Sequence, residues 1–324
     1  MTEKPKRNLL IDFDCVIPNL ALMKLSAYLK GKGEFVQLAQ REPITLDFEP
    51  RSFDKIWIST VFSWNKANAE KTKEYYESLG ISCELGGSGI SIQSKLPYEI
   101  EELVPDYSIY PDDDRVVGFT QRGCIRKCQF CIVPQKEGRL ADNAYHPISN
   151  WLPEGRNKIL LLDNEFADSP HHDQVLDFCS NNKLKLSITQ GYDVRLVTRE
   201  KAQKLAENKP YDLKFTTRRL YIAWDYLGIE GWVRKGLGIL LDYFTPRQIM
   251  CYVLCGFNTT IEQDLYRVKI LHENFGVMPY IMPYNNRRDI PELNKLRRWV
   301  NRRYLNICSF EDFQKSGWRK AYYN

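Results

Sequence analysis

Short apolar runs alternate with amphipathic stretches along almost the whole chain, and that alternation most narrows the folds open to it. "NLLIDFD" (8–14) reads as a buried strand. "PNLALMKLSAYLKGKG" (18–33) reads as the helix that follows, with Pro18 at its start and Gly31 or Gly33 closing it. "EFVQLA" and "KIWISTVFSW" are further strands, "KANAEKTKEYYESLG" is a polar-faced helix, and "ISCELGG" is another strand. Strands joined by helical crossovers build a parallel, doubly wound sheet, so residues 1–110 form a small α/β domain. "SKLPYEIEELVPDYSIYPDDD" (94–114), rich in Pro and Asp, reads as the linker.

The alternation restarts at 116. Strand patterns appear in "VVGFT", "KILLLDNEF", "KLKLSITQGYDV", "LYIAWD", "QIMCYVLCGF" and "GVMPYIMPY". Helical patterns lie between them, among them "HHDQVLDFCSNN", "TREKAQKLAEN" and "TIEQDLYRVKILHENF". Six strands with helical crossovers predict a barrel or partial barrel over 111–286, with its site at the C-terminal ends of the strands. Residues 287–324 follow as a basic helical extension.

Composition sets outer limits. With 43% hydrophobic and 27% charged residues in 324, the chain can bury a sizeable core and resembles ordinary globular proteins. A net charge of +5 neither demands nor excludes a polyanionic partner. No apolar run approaches the roughly 20 residues of a membrane span. The N-terminal "MTEKPKRNLLIDFD" lacks a secretory apolar region, so a cytosolic location away from membranes is expected. The nine cysteines are odd in number and scattered, as thiols or metal ligands in a reducing compartment are.

Three of those cysteines are not scattered. "GFTQRGCIRKCQFCIVPQKEG" (118–138) holds Cys124, Cys128 and Cys131 on a loop directly after a strand. A structural zinc site wants four ligands, in paired sets. Here no second pair lies downstream, and His146, His171, His172 and His272 are not in motif spacing with the cysteines. A ferredoxin run would supply a fourth cysteine soon after, whereas the next is Cys179. Three thiolates suit a cubane cluster with one iron left for a substrate or cofactor; a zinc loop or redox thiols is the alternative.

Cys124-x-x-x-Cys128-x-Phe130-Cys131, with its aromatic residue before the last cysteine, resembles the motif of the radical S-adenosylmethionine (SAM) superfamily. The resemblance implies a partial (β/α)6 barrel preceded by a Rossmann-like α/β domain. It implies a 4Fe–4S cluster on the three cysteines, with SAM chelated by the fourth iron. A one-electron reductant of flavodoxin or ferredoxin type then yields a 5′-deoxyadenosyl radical that takes hydrogen from substrate. It also implies further cofactor-binding residues. Asn164 and Glu165 stand in "LLLDNEF", where the family often has Gly-Gly-Glu at the methionine amino group. Gln190 and Arg195 in "TQGYDVRLV" face the carboxylate or sulfonium, for which an arginine fork is suited. The competing reading of Arg195 is a structural pair with Asp193. Asp225 is placed at the ribose, and Gly256 in "VLCGFNTT" near adenine. Cys251 and Cys255, on one face of the fifth strand, are core residues or a thiol pair.

The first domain resembles two known partners of such barrels. Methylthiotransferases carry three cysteines there for a second cluster, but this domain has only Cys15 and Cys83. Cobalamin-binding domains usually carry Asp-x-His-x-x-Gly, and residues 1–110 contain no histidine. Cobalamin is therefore not expected, although radical SAM methylases can bind it without that histidine. "ELGGSG" (84–89) reads as a tight turn, or as a backbone approach to a phosphate.

The C-terminal extension is the clue to substrate. Arg287, Arg288, Lys295, Arg297, Arg298, Arg302, Arg303, Lys315, Arg319 and Lys320 are interleaved with Trp299, Tyr304 and Trp318. Such a surface suits phosphates and exposed bases; a solvated helix face is the plainer reading. Arg218 and Arg219 precede the fourth strand and are expected near the site mouth. The expected function is modification or rearrangement of a nucleobase in nucleic acid, including hypermodified phage-type DNA. The alternative is a cobalamin-type radical SAM methylase or tailoring enzyme on a small metabolite or peptide.

Overall fold

A computed structural model describes residues 4–14, 16–40, 50–287 and 289–315. The chain divides into two compact units, Met1–Gly118 with Pro147–Arg156, and Phe119–His146 with Asn157–Asn324. Both are α/β with parallel strands. Cys15, Arg288, Trp318, Arg319 and Lys320 lie outside the described residues. Among the described residues, no helix is long and apolar enough to cross a membrane.

The first unit contains β1 (Arg7–Asp12), α1 (Leu20–Gly31), β2 (Phe35–Gln40), β3 (Lys55–Ser59), α2 (Lys66–Ser78), β4 (Ser82–Gly86), a short α3 (Tyr98–Glu101) and β5 (Arg115–Gly118). Four strands form a parallel sheet in the order β2-β1-β3-β4. Leu9, Ile11, Ile56, Ile58, Ala69 and Tyr76 are buried in its core. Helix α1 starts at Leu20 with Asn19 as its cap, and not at Pro18, because the Asn19 Oδ1 accepts the Leu22 amide at 3.2 Å.

The stretch expected as linker is a packed part of this unit. Tyr107, Ile109 and Tyr110 are buried. The Tyr110 hydroxyl donates to Asp12 at 2.7 Å and accepts the Asn19 amide at 3.1 Å. Asp106 takes the Ser26 hydroxyl at 2.7 Å and pairs with Lys30. The "ELGGSG" glycines serve close packing. At Gly87, with φ +98°, a Cβ would lie 2.2 Å from the Thr60 carbonyl oxygen, and at Gly89 one would meet Phe62 backbone at 2.7 Å. In doubly wound sheets, ligands bind outside the strand ends where the order reverses, here between β1 and β3. At that point Asp14 accepts the Val61 amide and, at 2.8 Å, the Asn65 side-chain amide.

The second unit continues through α4 (Val133–Lys136), β6 (Lys158–Leu161), α5 (His172–Asn181), β7 (Lys185–Ile188), α6 (Arg199–Asn208), β8 (Leu220–Ala223), α7 (Glu230–Leu240), β9 (Ile249–Cys255), α8 (Ile261–Lys269), β10 (Met278–Pro283), α9 (Pro291–Asn301) and α10 (Phe310–Gln314). β6 pairs with β7, and β9 lies between β8 and β10, all parallel. Past the end of β7, a parallel bridge joins Tyr192 to Ile222 of β8. Sequence fixes the starts of the helices. Thr198 caps α6, and Thr260 with Gln263 forms a capping box on α8. Buried Ile249, Cys251, Val253 and Cys255 alternate along β9 with half-exposed Met250, Tyr252 and Leu254. Asn301 of α9 caps the edge of β10, accepting the Ile281 amide at 2.8 Å and donating to its carbonyl at 3.0 Å.

The glycine turn gives a direct test. Gly87→Ala should lower stability by about 2 kcal/mol or more, since backbone must move and the residue sits at positive φ. Gly31→Ala, with nothing within 4 Å of the new methyl, should change it by under about 1 kcal/mol. Urea unfolding that shows equal effects would remove the packing role assigned to Gly87.

Candidate functional site

The segment carrying Cys124, Cys128 and Cys131 leaves a strand and must be held by side chains, because it has almost no regular structure of its own. Asp163, buried just past β6, anchors its start: it accepts the Thr120 amide at 2.6 Å, the Thr120 hydroxyl, and the Gln121 amide at 3.2 Å. Burial pushes the Asp163 carboxyl up to about 6, against the pull of those three donors. Gln121 extends the anchor, donating to the Leu140 and Asn143 carbonyls at 3.1 and 3.0 Å. Asn164 accepts the Gly123 amide at 3.0 Å. Gly123 has φ +91°, and a Cβ there would lie 2.8 Å from the Arg139 backbone.

The far side of the segment is tied by charge. Arg126, between the first two cysteines, places its Nε and a terminal nitrogen 2.9 Å from Asp193 Oδ2. The other oxygen of Asp193 accepts Arg195 Nε at 2.7 Å and the Arg195 amide at 3.0 Å. Burial alone would raise the Asp193 pKa, but the two guanidinium groups outweigh it and hold the carboxyl below its usual range. Arg195 is therefore both a partner of Asp193 and a neighbour of the cysteines, since its charge acts on Cys128. The structural pairing of Arg195 with Asp193 is present, and its guanidinium lies beside the cysteine segment.

All three thiols are half-buried. Burial pushes Cys124 up to about 11, with Glu165, Cys128 and Cys131 adding to the shift. Burial raises Cys128 and Cys131 too, and Arg195 opposes this at Cys128. Backbone amides already point at two sulfurs: Arg126 N–H to Cys124 at 3.3 Å and Val133 N–H to Cys131 at 3.5 Å. Amide donation to sulfur is a lever by which proteins tune iron–sulfur centres. Among the described residues no three His, Cys, Asp or Glu converge into a metal-holding group, so the thiols are neighbours that a metal would have to draw together.

Glu165 supplies a second observation. It is 5% exposed, its Oε2 lies 3.9 Å from Cys124 Sγ, and its buried Oε1 has no hydrogen-bond partner. Burial, reinforced by Asp193 and opposed by Arg126 and Arg195, pushes its carboxyl up to about 7. A buried oxygen without a donor retains an acceptor site that a bound group could fill. The soft thiol set and this orphaned oxygen fit a thiolate-bound cluster with a cationic ligand beside it.

The remaining predicted positions divide. Asp225, following β8, feels Arg195, and burial pushes it up to about 6. Phe130 packs edge-on to Phe257 at 5.9 Å, and Phe257 to Tyr284 at 4.9 Å, so the cysteine segment meets the loop after β9. Gly256, with φ +77°, opens that loop, and a Cβ on it would come within 2.8 Å of Leu293. Gln190 is exposed and, among the described residues, makes no hydrogen bond that joins it to the others. Cys251 and Cys255 are fully buried core residues, and Cys179, Cys83 and Cys308 are buried in their own regions.

The placement of Arg218 and Arg219 near the site mouth is wrong. Both lie before the N-terminal end of β8, opposite the ends that carry Asp225 and Gly256. Arg218 bonds the Lys209 carbonyl and covers the Tyr211 ring at 3.9 Å. Arg219 is buried and donates to the Arg247 carbonyl at 2.7 Å. On α9, Leu293, Leu296, Trp299 and Val300 are buried, Arg297 is half-buried and Arg298 is exposed, as are Arg302 and Arg303 just past its end. Trp299 and Tyr304, two of the aromatics expected to stack on bases, are engaged in packing. Trp299 donates to the Cys308 carbonyl at 2.9 Å, and Tyr304 stacks on Phe313.

A cleft of about 280 Å3 opens beside Cys124, lined by Ile125, Arg126, Lys127, Pro134 and Arg139. A wider one of about 710 Å3 lies between α8 and the α9–α10 segment and contains no residue of the cysteine segment. Sequence reasoning missed Asp163, Gln121 and Arg126 as anchors. Only Asp163, inside "DNEF", carried a signal.

No family model matches the chain, and no curated protein matches it. A solved short-chain dehydrogenase from Oenococcus oeni PSU-1 aligns at 10% identity over 87% of this chain and 96% of its own. Its TM-score of 0.14 is too low for that likeness to bear on fold or function.

Asp193→Asn should free the cysteine segment, because it leaves two guanidinium groups without their anion and removes about 2 kcal/mol of charged hydrogen bonding. Maleimide labelling of Cys124 and Cys128 in the native protein should become several-fold faster. Unchanged labelling rates would show that Asp193 does not hold the segment.

Proposed function

We propose that this chain is a radical SAM enzyme. The observation that carries the reading is the Cys124, Cys128 and Cys131 triplet on an anchored segment, with the orphaned Oε1 of buried Glu165 beside it. When bound, a 4Fe–4S cluster on these thiolates, reduced by a flavodoxin or ferredoxin type donor, would cleave SAM to methionine and a 5′-deoxyadenosyl radical that takes hydrogen from substrate.

The chain's own residues have defined tasks in this reading. Glu165 offers an acceptor for the amino group of the ligand, where its unpartnered oxygen would gain a donor. Arg195, fixed by Asp193, presents positive charge for the carboxylate. Asp225 accepts from the ribose hydroxyls, and the loop opened by Gly256 receives the adenine. Asn164 serves the site indirectly, through Gly123. Five of the six strands expected from 116 onward, β6–β10, alternate with helices in the second unit, which supports a (β/α) barrel type of architecture, while β5 falls in the first unit.

The substrate class we favour is a nucleobase in nucleic acid. Arg298, Arg302 and Arg303 are exposed on and just past α9, and no carboxylate among the described residues is paired to them. The cobalamin-type alternative gains nothing from the first unit, where Asp14, Gly87 and Gly89 close the strand ends with the chain's own atoms.

Anaerobic reconstitution should give about four iron and four sulfide per chain. Changing Cys124, Cys128 and Cys131 together to Ala should abolish both the iron and reductive formation of 5′-deoxyadenosine. Full iron in the triple variant, or no 5′-deoxyadenosine from the wild type above a cluster-free control, rejects the reading.

Oligonucleotide binding should weaken linearly in log affinity against log salt. Arg298→Gln, Arg302→Gln and Arg303→Gln together should flatten that slope by about one unit for each phosphate no longer neutralised, leaving iron content unchanged. A wild type without salt-dependent affinity for DNA or RNA would favour a small-molecule substrate.

A further inference from the structure

An ion pair is buried in the second unit, on a helix that carries none of the three clustered cysteines. Arg267 and Asp264 of α8 are both fully buried and meet at 2.6 Å. Arg267 also donates to the carbonyl of Trp224, the residue after β8, and at 2.6 Å to that of Leu254, next to last in β9. β8 and β9 pair from Leu220 with Ile249 to Ala223 with Tyr252, and the Trp224 amide adds a bond to the Tyr252 carbonyl. Beyond that point the pairing of these two strands stops, and the guanidinium supplies a donor to one carbonyl at each strand end. Its planar fork suits this, because two nitrogens at fixed spacing bridge two acceptors at once.

Folding stability is a weak reason for this arrangement. Arg267 Nε and Asp264 Oδ2 are buried without hydrogen-bond partners. A buried pair so incompletely satisfied is generally no better for folding than apolar side chains of similar volume. What the pair does fix is the interval between two strand ends. One end continues into Asp225, the other into Gly256, and Trp224 is further pinned by its indole, which donates to the Tyr226 carbonyl at 2.9 Å.

We propose that Arg267, held by Asp264, is a positioning residue that sets the gap between the ends of β8 and β9 and thereby the fit of the ligand's nucleoside half. This rests on the SAM reading given above, which places ribose at Asp225 and adenine beyond Gly256. Arg267 touches neither the ligand nor the thiols. It acts through backbone carbonyls and through its positive charge on nearby Asp225, so its loss weakens nucleoside binding while the cluster ligands stay in place.

The test pairs a measurement that needs no cofactor with one that does. In the protein as purified, amide hydrogen exchange over residues 224–227 and 254–259 should be at least about tenfold faster in the R267M/D264L double variant, which replaces the pair by apolar side chains. In reconstituted protein, the same variant should keep wild-type iron but bind S-adenosylhomocysteine at least about tenfold more weakly. R267K keeps the ion pair without the fork and should shift both readouts in the same direction. Wild-type exchange in a folded variant overturns the proposal, and so does unchanged affinity despite faster exchange. Failure of both variants to fold would assign the pair to stability and overturn it as well. A wild type that holds iron yet takes up no S-adenosylhomocysteine would sink the underlying SAM reading, and with it this proposal.

Discussion

The carboxylate of Asp193 receives two guanidinium groups that come from different parts of the second unit, Arg126 from the cysteine segment and Arg195 from the turn after β7. A loop with so few bonds of its own takes its shape from such pairings. Asp193 on one side and Asp163 on the other, helped by Asn164 on the Gly123 amide and Phe130 on Phe257, keep the three thiols near Glu165 and Asp225. Both carboxylates are buried acceptors of several donors, the condition under which a negative charge persists in a protein interior. The loop is held by buried polar and charged bonds together with the packing of Phe130 on Phe257, and it remains half-exposed beside a cleft.

Parallel strand order makes this sparing of residues. Every crossover returns the chain to the same side, so the ends of β6, β7, β8 and β9 deliver Glu165, Arg195, Asp225 and Gly256 without any being near another in sequence. The same geometry explains why Arg218 and Arg219 are elsewhere. Two residues before a strand begins are as far from its C-terminal end as the strand is long.

What is legible in the sequence follows from what is local. Strand and helix alternation, the Thr260–Gln263 capping box and the cysteine spacing each act over a few residues, and each can be read from the residues alone. The start of α1 is harder to read, because Pro18 is a common first residue while Asn19 supplies an actual bond to the Leu22 amide. The stretch 94–114 resembles a linker in its Pro and Asp content, yet Asp106 and Tyr110 use their polar groups to dock on α1 and β1. Arg126 gives no sign at all, since its partner lies 67 residues away. The stacking of Tyr304 is equally hidden, whereas the burial of Trp299 follows from the helical spacing of Leu296, Trp299 and Val300, the plainer reading of this stretch as a helix with one wet face and one dry one.

Asn301 differs in role from the arginines around it. β10 is the last strand of its sheet, and a bare last strand is a template on which another chain can add a strand. By accepting the Ile281 amide and donating to its carbonyl, the Asn301 side chain imitates one rung of that missing neighbour. Helix α9 is thus a stopper as well as a carrier of charge. The like-signed residues on its outer face, Arg298 and Arg302, would repel a second copy approaching the same edge, so sheet growth is blocked by a bond and discouraged by a field.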